Sequence, residues 1–413
     1  MGSTRVYMDH AATTDVLQPV VEAVTEQMLL GGNPSSLHSA GRRARATVEA
    51  AREKIAAAAG CDPAEVIFTS GGTEADNLAV KGTFWKRHSA DATKNRILVS
   101  SIEHHAVGDT AEWLETHEGA VIDWIPVDED GLVKPETVRE LIEKNPDDVA
   151  LLTVMWANNE VGAIQPIAEL AEIAAEYGIP MHTDAVQAFG AVPVNFRNSG
   201  VATMAISGHK IGGPMGIGAL IATRSAALDP VLHGGGQERS VRSGTIDAAS
   251  IAGFGVAAAW ASEHLAEESR RIGQLRNRII NRVREEIPGA VLRGPEPETD
   301  LELIEKGPSR RLPNNAHFTF TGCEGDSLLF LLDMAGVESS TGSACNAGVP
   351  RPSHVLLAMG LSEETARGAQ RFTLGHSSTV DDVDRLLDAL PTAFNQANQA
   401  GLAAHTPNAE LWH

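Results

Sequence analysis

At 413 residues the chain is longer than one hydrophobic core usually fills, which predicts two domains, or one large domain with a smaller partner. Its formal net charge of -21 excludes nucleic acid as the main partner, because phosphate binding needs a clustered basic face. No apolar run approaches the ~20 residues that span a bilayer, and Met1 to Arg5 lack the apolar core of a signal peptide, so no membrane partner and a cytoplasmic location are expected.

From about residue 18 to 255, apolar-periodic stretches alternate with short β-rich runs, the pattern of a mainly parallel sheet flanked by helices and hence of an α/β fold. A low aromatic content of 4% and 39 glycines suit helices packed closely on such a sheet. The strands are read at Val66–Thr69, Ile97–Ser100, Val121–Ile125, Val149–Met155, Pro180–Thr183, Thr203–Ile206 and Gly218–Ile221, with helices such as Thr73–Arg87 and Ile167–Tyr177 between them. Ile251–Ile287 carries charged residues (Glu263, Glu267, Arg270, Arg271) and apolar ones (Leu265, Ile272, Leu275, Ile279) at helical spacing, and reads as a connector into a second domain. Gly294–Pro313, with four prolines and many charges, reads as a loop before the strand Ala316–Phe320, and the Ala/Gln/Asn-rich tail beyond Asn395 is expected to fray. The predicted division is a large domain over residues 15–255, a smaller α+β domain from 1–14 and 256–395, and a tail over 396–413.

Ser70-Gly71-Gly72-Thr73-Glu74 marks a strand-to-helix turn whose free N–H groups and positive helix end would face an anion. A plain glycine turn capped by Thr73 explains the motif equally well. Asp184, beyond a strand end, lies at the carboxyl edge where open α/β sheets bind ligands and would keep a pyridinium nitrogen protonated; a helix-capping aspartate is the commoner meaning of such a residue. Lys210, in Ser207-Gly208-His209-Lys210, follows the next strand among glycines, and a crowded, partly dry site disfavours its ammonium form, as imine chemistry requires. Most lysines are solvated surface charges. This one is singled out by its company: an anion turn, a carboxylate and an amine from three βα loops of one sheet, the set that pyridoxal 5'-phosphate (PLP) requires for its phosphate, ring nitrogen and aldehyde.

Three cysteines, Cys61, Cys323 and Cys345, are too few and too scattered for a disulfide framework. Cys345 lies in a small-residue stretch, Ser340 to Gly348, without apolar periodicity, and is expected to be an exposed loop thiol fit to act as a nucleophile; Cys61 and Cys323, at element ends, read as structural. His104-His105 has no further residues at metal-ligand spacing, so stacking or packing is expected and no metal. Gly212–Gly218 precedes a strand and lacks a Lys-Ser/Thr end, which excludes a nucleotide loop.

Seven motifs then combine: Met8-Asp9-His10-Ala11-Ala12-Thr13-Thr14, Gly32-Asn33-Pro34-Ser35-Ser36, Gly71-Gly72-Thr73-Glu74-Ala75-Asp76-Asn77, Asn158-Asn159-Glu160-Val161-Gly162, Ser207-Gly208-His209-Lys210, His233-Gly234-Gly235-Gly236-Gln237-Glu238-Arg239 and Ser343-Ala344-Cys345. On these the sequence resembles the cysteine desulfurases of the NifS/IscS type, from Tyr7 to about Leu390, and above all the IscS-like enzymes of actinobacteria. The resemblance implies a fold-type I PLP-dependent transferase that takes sulfur from L-cysteine, leaving L-alanine and a persulfide on Cys345 for an iron–sulfur scaffold or another acceptor, including one for tRNA thiolation. It also implies that Lys210 holds the cofactor aldehyde and moves the Cα proton, that Asp184 pairs with the pyridine nitrogen, that Gln187 and Asn159 lie near the ring hydroxyl, and that His104 stacks on the ring. Thr73, Ser207, His209 and the Gly72 backbone would hold the phosphate, completed by Thr245 from a second copy of the chain, which implies a homodimer. Arg371, assisted by Asn33 and Asn159, would clamp the substrate carboxylate, a bidentate task suited to guanidinium.

Two departures stand out: Asn346 where many relatives carry Ser or Thr, and Gly375-His376 where some carry Gly-Arg. The spacing from Cys345 to Pro352-Ser353 resembles the long-loop group, whose persulfide reaches a protein acceptor. An aminotransferase or selenocysteine lyase of the same fold would share everything except dependence on Cys345. A thiol scaffold without activity would have no chemical reason to keep both Lys210 and Asp184.

Overall fold

The protein is described by a computed structural model covering residues 5–297, 309–342 and 352–404. Cys345, Asn346 and most of the expected Gly294–Pro313 loop lie outside the described residues. In chain order, β1 (Val6–Tyr7) leads into α1 (Gln18–Leu30) and α2 (Ser39–Ala59). There follow β2 (Val66–Thr69), α3 (Gly72–Ala90), β3 (Arg96–Ser100), α4 (His105–Glu118), β4 (Val121–Ile125), α5 (Pro135–Glu143), β5 (Val149–Thr153), α6 (Ile167–Glu176), β6 (Met181–Asp184), α7 (Phe196–Ser199), β7 (Thr203–Ser207) and β8 (Gly218–Ala222).

Strands β2 to β8 form one sheet in the order β2-β8-β7-β6-β5-β3-β4, parallel except for β8, which runs against both its neighbours. Every residue of β5 and β7 is buried, as expected where helices cover both faces. All seven predicted strands are present, with ends moved by a residue or two. The β5 strand stops before Met155 because that residue's N–H is taken by the Glu103 carboxylate (2.6 Å).

The α2 helix buries Ala44, Val48, Ala51, Ile55 and Ala59, at the three- and four-residue spacing of a single face, and ends on Gly60 in a left-handed turn (φ +68°). The 39-residue helix α8 (Ala248–Glu286) starts on Asp247, whose carboxylate accepts the N–H groups of Ala249 and Ser250 (both 3.1 Å). The two helices approach so closely that a Cβ on Gly255 would stand 2.7 Å from the Ala51 Cβ. Small residues therefore set this packing distance.

Helix α8 changes core along its length. Ile251, Phe254 and Ala258 pack under the large sheet, whereas Ile272, Leu275, Ile279 and Val283 join a second core with Val6, Met8, Phe318, Phe320, Phe372 and Leu386. That second core is built on β9 (Ala290–Leu292), β10 (Asn315–Phe320), α9 (Gly325–Met334), β11 (Val337–Glu338), α10 (His354–Ala358), α11 (Glu363–Arg367), β12 (Ala369–Thr373) and α12 (Val380–Ala404). Strands β12, β10 and β9 form an antiparallel sheet, and β1 pairs with β11, which places the N-terminal segment in the second core.

The tail needs correction: α12 runs on to Ala404 rather than fraying after Asn395. Leu386, Leu390, Phe394 and Ala397 are buried at helical spacing, and that continued apolar face holds the helix past the point where composition turns polar. Among the described residues no helix is long and apolar enough to cross a membrane.

Candidate active site

The sheet delivers its polar residues at the carboxyl ends of its strands. Gly72 opens α3 after β2, His104 caps α4 after β3, Asn159 follows β5, Asp184 ends β6, Ser207 ends β7, and His209 and Lys210 lie in the single 3-10 turn that follows. Lys210 Nζ donates to the carbonyls of Ala11 and Ala12, the latter at 2.8 Å. Burial, reinforced by the charge of Arg371, pushes its ammonium down to about 8, with Asp184 and Asp9 opposing. Gln187 Nε2 donates to the same Ala11 carbonyl (2.9 Å).

Asp184 is buried, and one of its oxygens accepts the Val186 N–H (2.8 Å), the local turn bond that lets an aspartate end a strand. Burial raises this carboxyl; His104, the Val186 amide and Lys210 hold it down. Ser207 Oγ is buried without a protein partner. Beside it, a Cβ on Gly72 would stand 2.8 Å from Val186 Cγ2, so only glycine brings the first turn of α3 this near the strand ends. The helix cap is Gly71 rather than the expected Thr73, which stands exposed on the first turn. His209 Nδ1 lies 3.3 Å from Thr13 Oγ1, and burial lowers the ring to about 4, leaving it a neutral hydrogen-bonding group. His104 is exposed, its Nδ1 accepting the Ala106 N–H (3.1 Å), so its ring is pinned at the start of α4.

From the small sheet, Arg371 of β12 enters the same space. Its guanidinium donates to the Asn159 carbonyl (2.7 Å) and pairs with Asp9 (2.6 Å), while its Nε is buried without a partner. His317, opposite it on β10, is fully buried with both ring nitrogens unpartnered, and burial lowers it to about 3. A cavity of about 80 Å³ reaches Lys210 and Gln187 but none of Asp184, Ser207 or Arg371.

One expected residue is not drawn in: Asn33 turns its Oδ1 to the Ser35 N–H (2.9 Å) and makes no hydrogen bond to Arg371. Thr245, expected to act from a second copy of the chain, is exposed. The Thr245 loop is tied down instead by Glu238, which takes two bonds from Arg52 (both 2.9 Å) and one from the Phe68 N–H (3.0 Å), and by Arg242 on Glu74 (2.8 Å). Cys323 is buried, and burial pushes the half-buried Cys61 thiol up to about 12, so neither of these thiols is prone to ionise.

Sequence reasoning missed Asp9, Asp76, Glu103 and His182 as contributors. Asp9 and Asp76 stood inside quoted motifs, and His182 sits two residues before Asp184, on the same strand face; Glu103 carried no local signal.

Residues 6–386 match the aminotransferase class-V family. The chain is 50% identical over 398 residues to an IscS-like cysteine desulfurase of Mycobacterium tuberculosis, covering 96% of this chain and 98% of that protein. Among solved structures it resembles a NifS-like protein from Rickettsia africae (TM-score 0.81, 32% identity, 95% of this chain and 99% of that one). It also resembles SspA in complex with cysteine (TM-score 0.75, 34% identity, 89% and 98%). With the strand-end lysine, aspartate and serine arranged on a sheet of this topology, the chain belongs to the aminotransferase class-V family and, within it, to the cysteine desulfurases of the IscS and NifS type.

Proposed function

We propose that this cysteine desulfurase works with PLP held between Asp184 and Lys210, and that Cys345 receives the sulfur of free L-cysteine while L-alanine is released. The observation that carries the reading is the unpartnered Ser207 Oγ beside the glycine-lined first turn of α3, with Asp184 and Lys210 on the neighbouring strand ends. The free N–H groups of a helix start, a buried carboxylate and a desolvated amine fit a phosphate, a pyridinium and an aldehyde in turn. Gly72, Thr73, Ser207 and His209 would hold the phosphate, Asp184 the ring nitrogen, Gln187 and Asn159 the ring hydroxyl, with His104 over the ring. When bound, the cofactor supplies an aldehyde that condenses with amines and a ring that accepts the electron pair left at Cα.

The chain's own groups do the rest. Arg371 exchanges Asp9 for the substrate carboxylate, and its two fixed N–H directions orient the amino acid. Lys210, its ammonium destabilised by burial, removes the Cα proton. Cys345 as thiolate attacks the substrate sulfur; the new S–S bond forms as the Cβ–S bond breaks, and the bonding pair stays on carbon, which takes up a proton to leave as alanine. The sulfur of Cys345 is oxidised and the substrate carbon reduced, so no external oxidant is needed.

The persulfide passes to an iron–sulfur scaffold or another sulfur-acceptor protein, in the reducing cytoplasm where a free thiol persists. A homodimer is the working unit: Met28, Leu29 and Leu37 are 70%, 84% and 89% exposed, an apolar surface that a second copy would cover, and Thr245 is exposed, free to serve a neighbouring copy. The test is Cys345→Ser in the coloured holoenzyme. Alanine formation from cysteine should vanish with the visible absorption intact; persistent alanine formation would rule out Cys345 as the sulfur acceptor.

A further inference from the structure

Three carboxyl groups are buried together beneath the strand ends: Asp76, Glu103 and Asp184, exposed by 1%, 2% and 5%. Side chains alternate along a strand, so β6 turns His182 and Asp184 to one face. Asp76, from the start of α3, meets that face with an oxygen 3.2 Å from His182 Nε2. His182 Nδ1 lies 2.9 Å from Thr203 Oγ1, its register partner on β7. Glu103 closes the cluster from the turn after β3. One of its oxygens accepts the Met155 N–H (2.6 Å) and the other is buried without a partner. The very next amide, Trp156 N–H, donates to the Asp184 carbonyl (2.8 Å), which places Glu103 alongside Asp184.

Among the described residues no lysine or arginine pairs with Asp76 or Glu103, and the groups that oppose negative charge, His104 and Lys210, act on Asp184. Like charges gathered in a dry place cannot all ionise. Burial, and then the charge of Asp184, pushes both Asp76 and Glu103 well above the usual carboxylate range. Burial also holds His182 neutral, at about 3, so its ring has one N–H to give and one lone pair to fill.

We propose that Asp76 and Glu103 are positioning residues that stand as neutral carboxylic acids beneath Asp184, with Asp76 O–H donating to His182 Nε2 and His182 Nδ1–H donating to Thr203 Oγ1, so that Asp184 carries the only charge of the trio. Were either neighbour ionised, its charge would draw a proton onto Asp184 and cancel the pull of that carboxylate on a pyridinium nitrogen. This consequence rests on the reading of the cofactor site above; the two neutral acids do not.

Infrared spectra of the full chain at neutral pH, with the cofactor and stripped of it, test the idea. Two carbonyl bands of protonated carboxylic acids should be present in both forms, one absent from Asp76→Asn and the other from Glu103→Gln. An amide donates to His182 as the acid does, so in the loaded protein both variants should leave the pH titration of the visible absorption within ~0.3 unit of the wild type, whereas deleting an ionised carboxylate beside Asp184 would move it by about one unit or more. Absence of the bands in the wild-type protein, or a shift of that size in either variant, overturns the proposal. If Asp76→Asn does not fold, the wild-type bands and Glu103→Gln decide. If no variant or wild-type protein binds PLP, the reading of the cofactor site fails, and the bands of the stripped protein still decide this one.

Discussion

The large parallel sheet and the small antiparallel sheet each bring one cation to the same space, but Lys210 and Arg371 are held by opposite means. Lys210 rests on two neutral carbonyls, Ala11 and Ala12, in a buried setting that weakens its hold on a proton. Arg371 is paired with the Asp9 carboxylate and the Asn159 carbonyl. A desolvated amine suits proton transfer, whereas a planar guanidinium already matched to a carboxylate suits binding one. On the function proposed above, the large sheet supplies the chemistry and the small one the recognition.

The largest effect that could break this contrast belongs to Lys210. Lys210→Ala should lower alanine formation from cysteine by about 10²–10⁴-fold, and in the stripped wild-type protein the rate of PLP uptake, followed by absorbance, should rise as pH increases through about 8, because only the neutral amine condenses with an aldehyde. A rate that is flat across that pH would show that Lys210 is not the group that titrates. Next comes the frame of the large sheet: Glu238→Ala removes the two short bonds that Arg52 makes to a buried carboxylate, leaving it the half-exposed Glu49, and should cost about 3 kcal/mol in urea unfolding, whereas an exposed pair such as Arg197–Asp62 would cost about 1 kcal/mol or less.

On the recognition side, Arg371→Lys should reduce kcat/KM for cysteine by about 10- to 100-fold, mainly through KM, since an ammonium cannot make two fixed bonds to a carboxylate. An equal loss in kcat would move Arg371 into the chemistry and blur the contrast. The last effect, visible only on acidification, concerns His317, behind Arg371. Its folded value, about 3, lies below the usual 6.5, so the unfolded chain takes up the proton first, and its contribution to stability is lost as pH falls from about 6.5. His317→Gln should remove that slope, about 1.4 kcal/mol per pH unit, and stability curves of the two proteins should converge on acidification.

Much of the candidate cofactor side was legible as a cluster of strand-end groups because strand ends and glycine turns are local features. Ser207, His209 and Lys210 are adjacent in sequence, and Asp184 follows a short apolar run. The substrate side was legible only through resemblance: nothing local announces that Arg371 of β12 will meet Asp9, since 362 positions separate them. The helical C-terminal segment was misread because its apolar residues, Leu390, Phe394 and Ala397, are diluted by Asn, Gln and Ala, and only packing against the second core reveals the face they form. The buried acids were unreadable for a related reason. Asp76, Glu103 and His182 look like ordinary polar residues until three elements bury them together.

The amino-acid sequence by itself determined the alternation of strands and helices, the glycine turns at the strand ends, and the kinds of group available there, because periodicity and glycine act over a few residues. Tertiary structure alone decided which groups lose water and which meet. It set the destabilised ammonium of Lys210, the Asp9 partner of Arg371 and the crowded carboxyls around Asp184, since desolvation and charge proximity depend on what is nearby in space rather than in the chain.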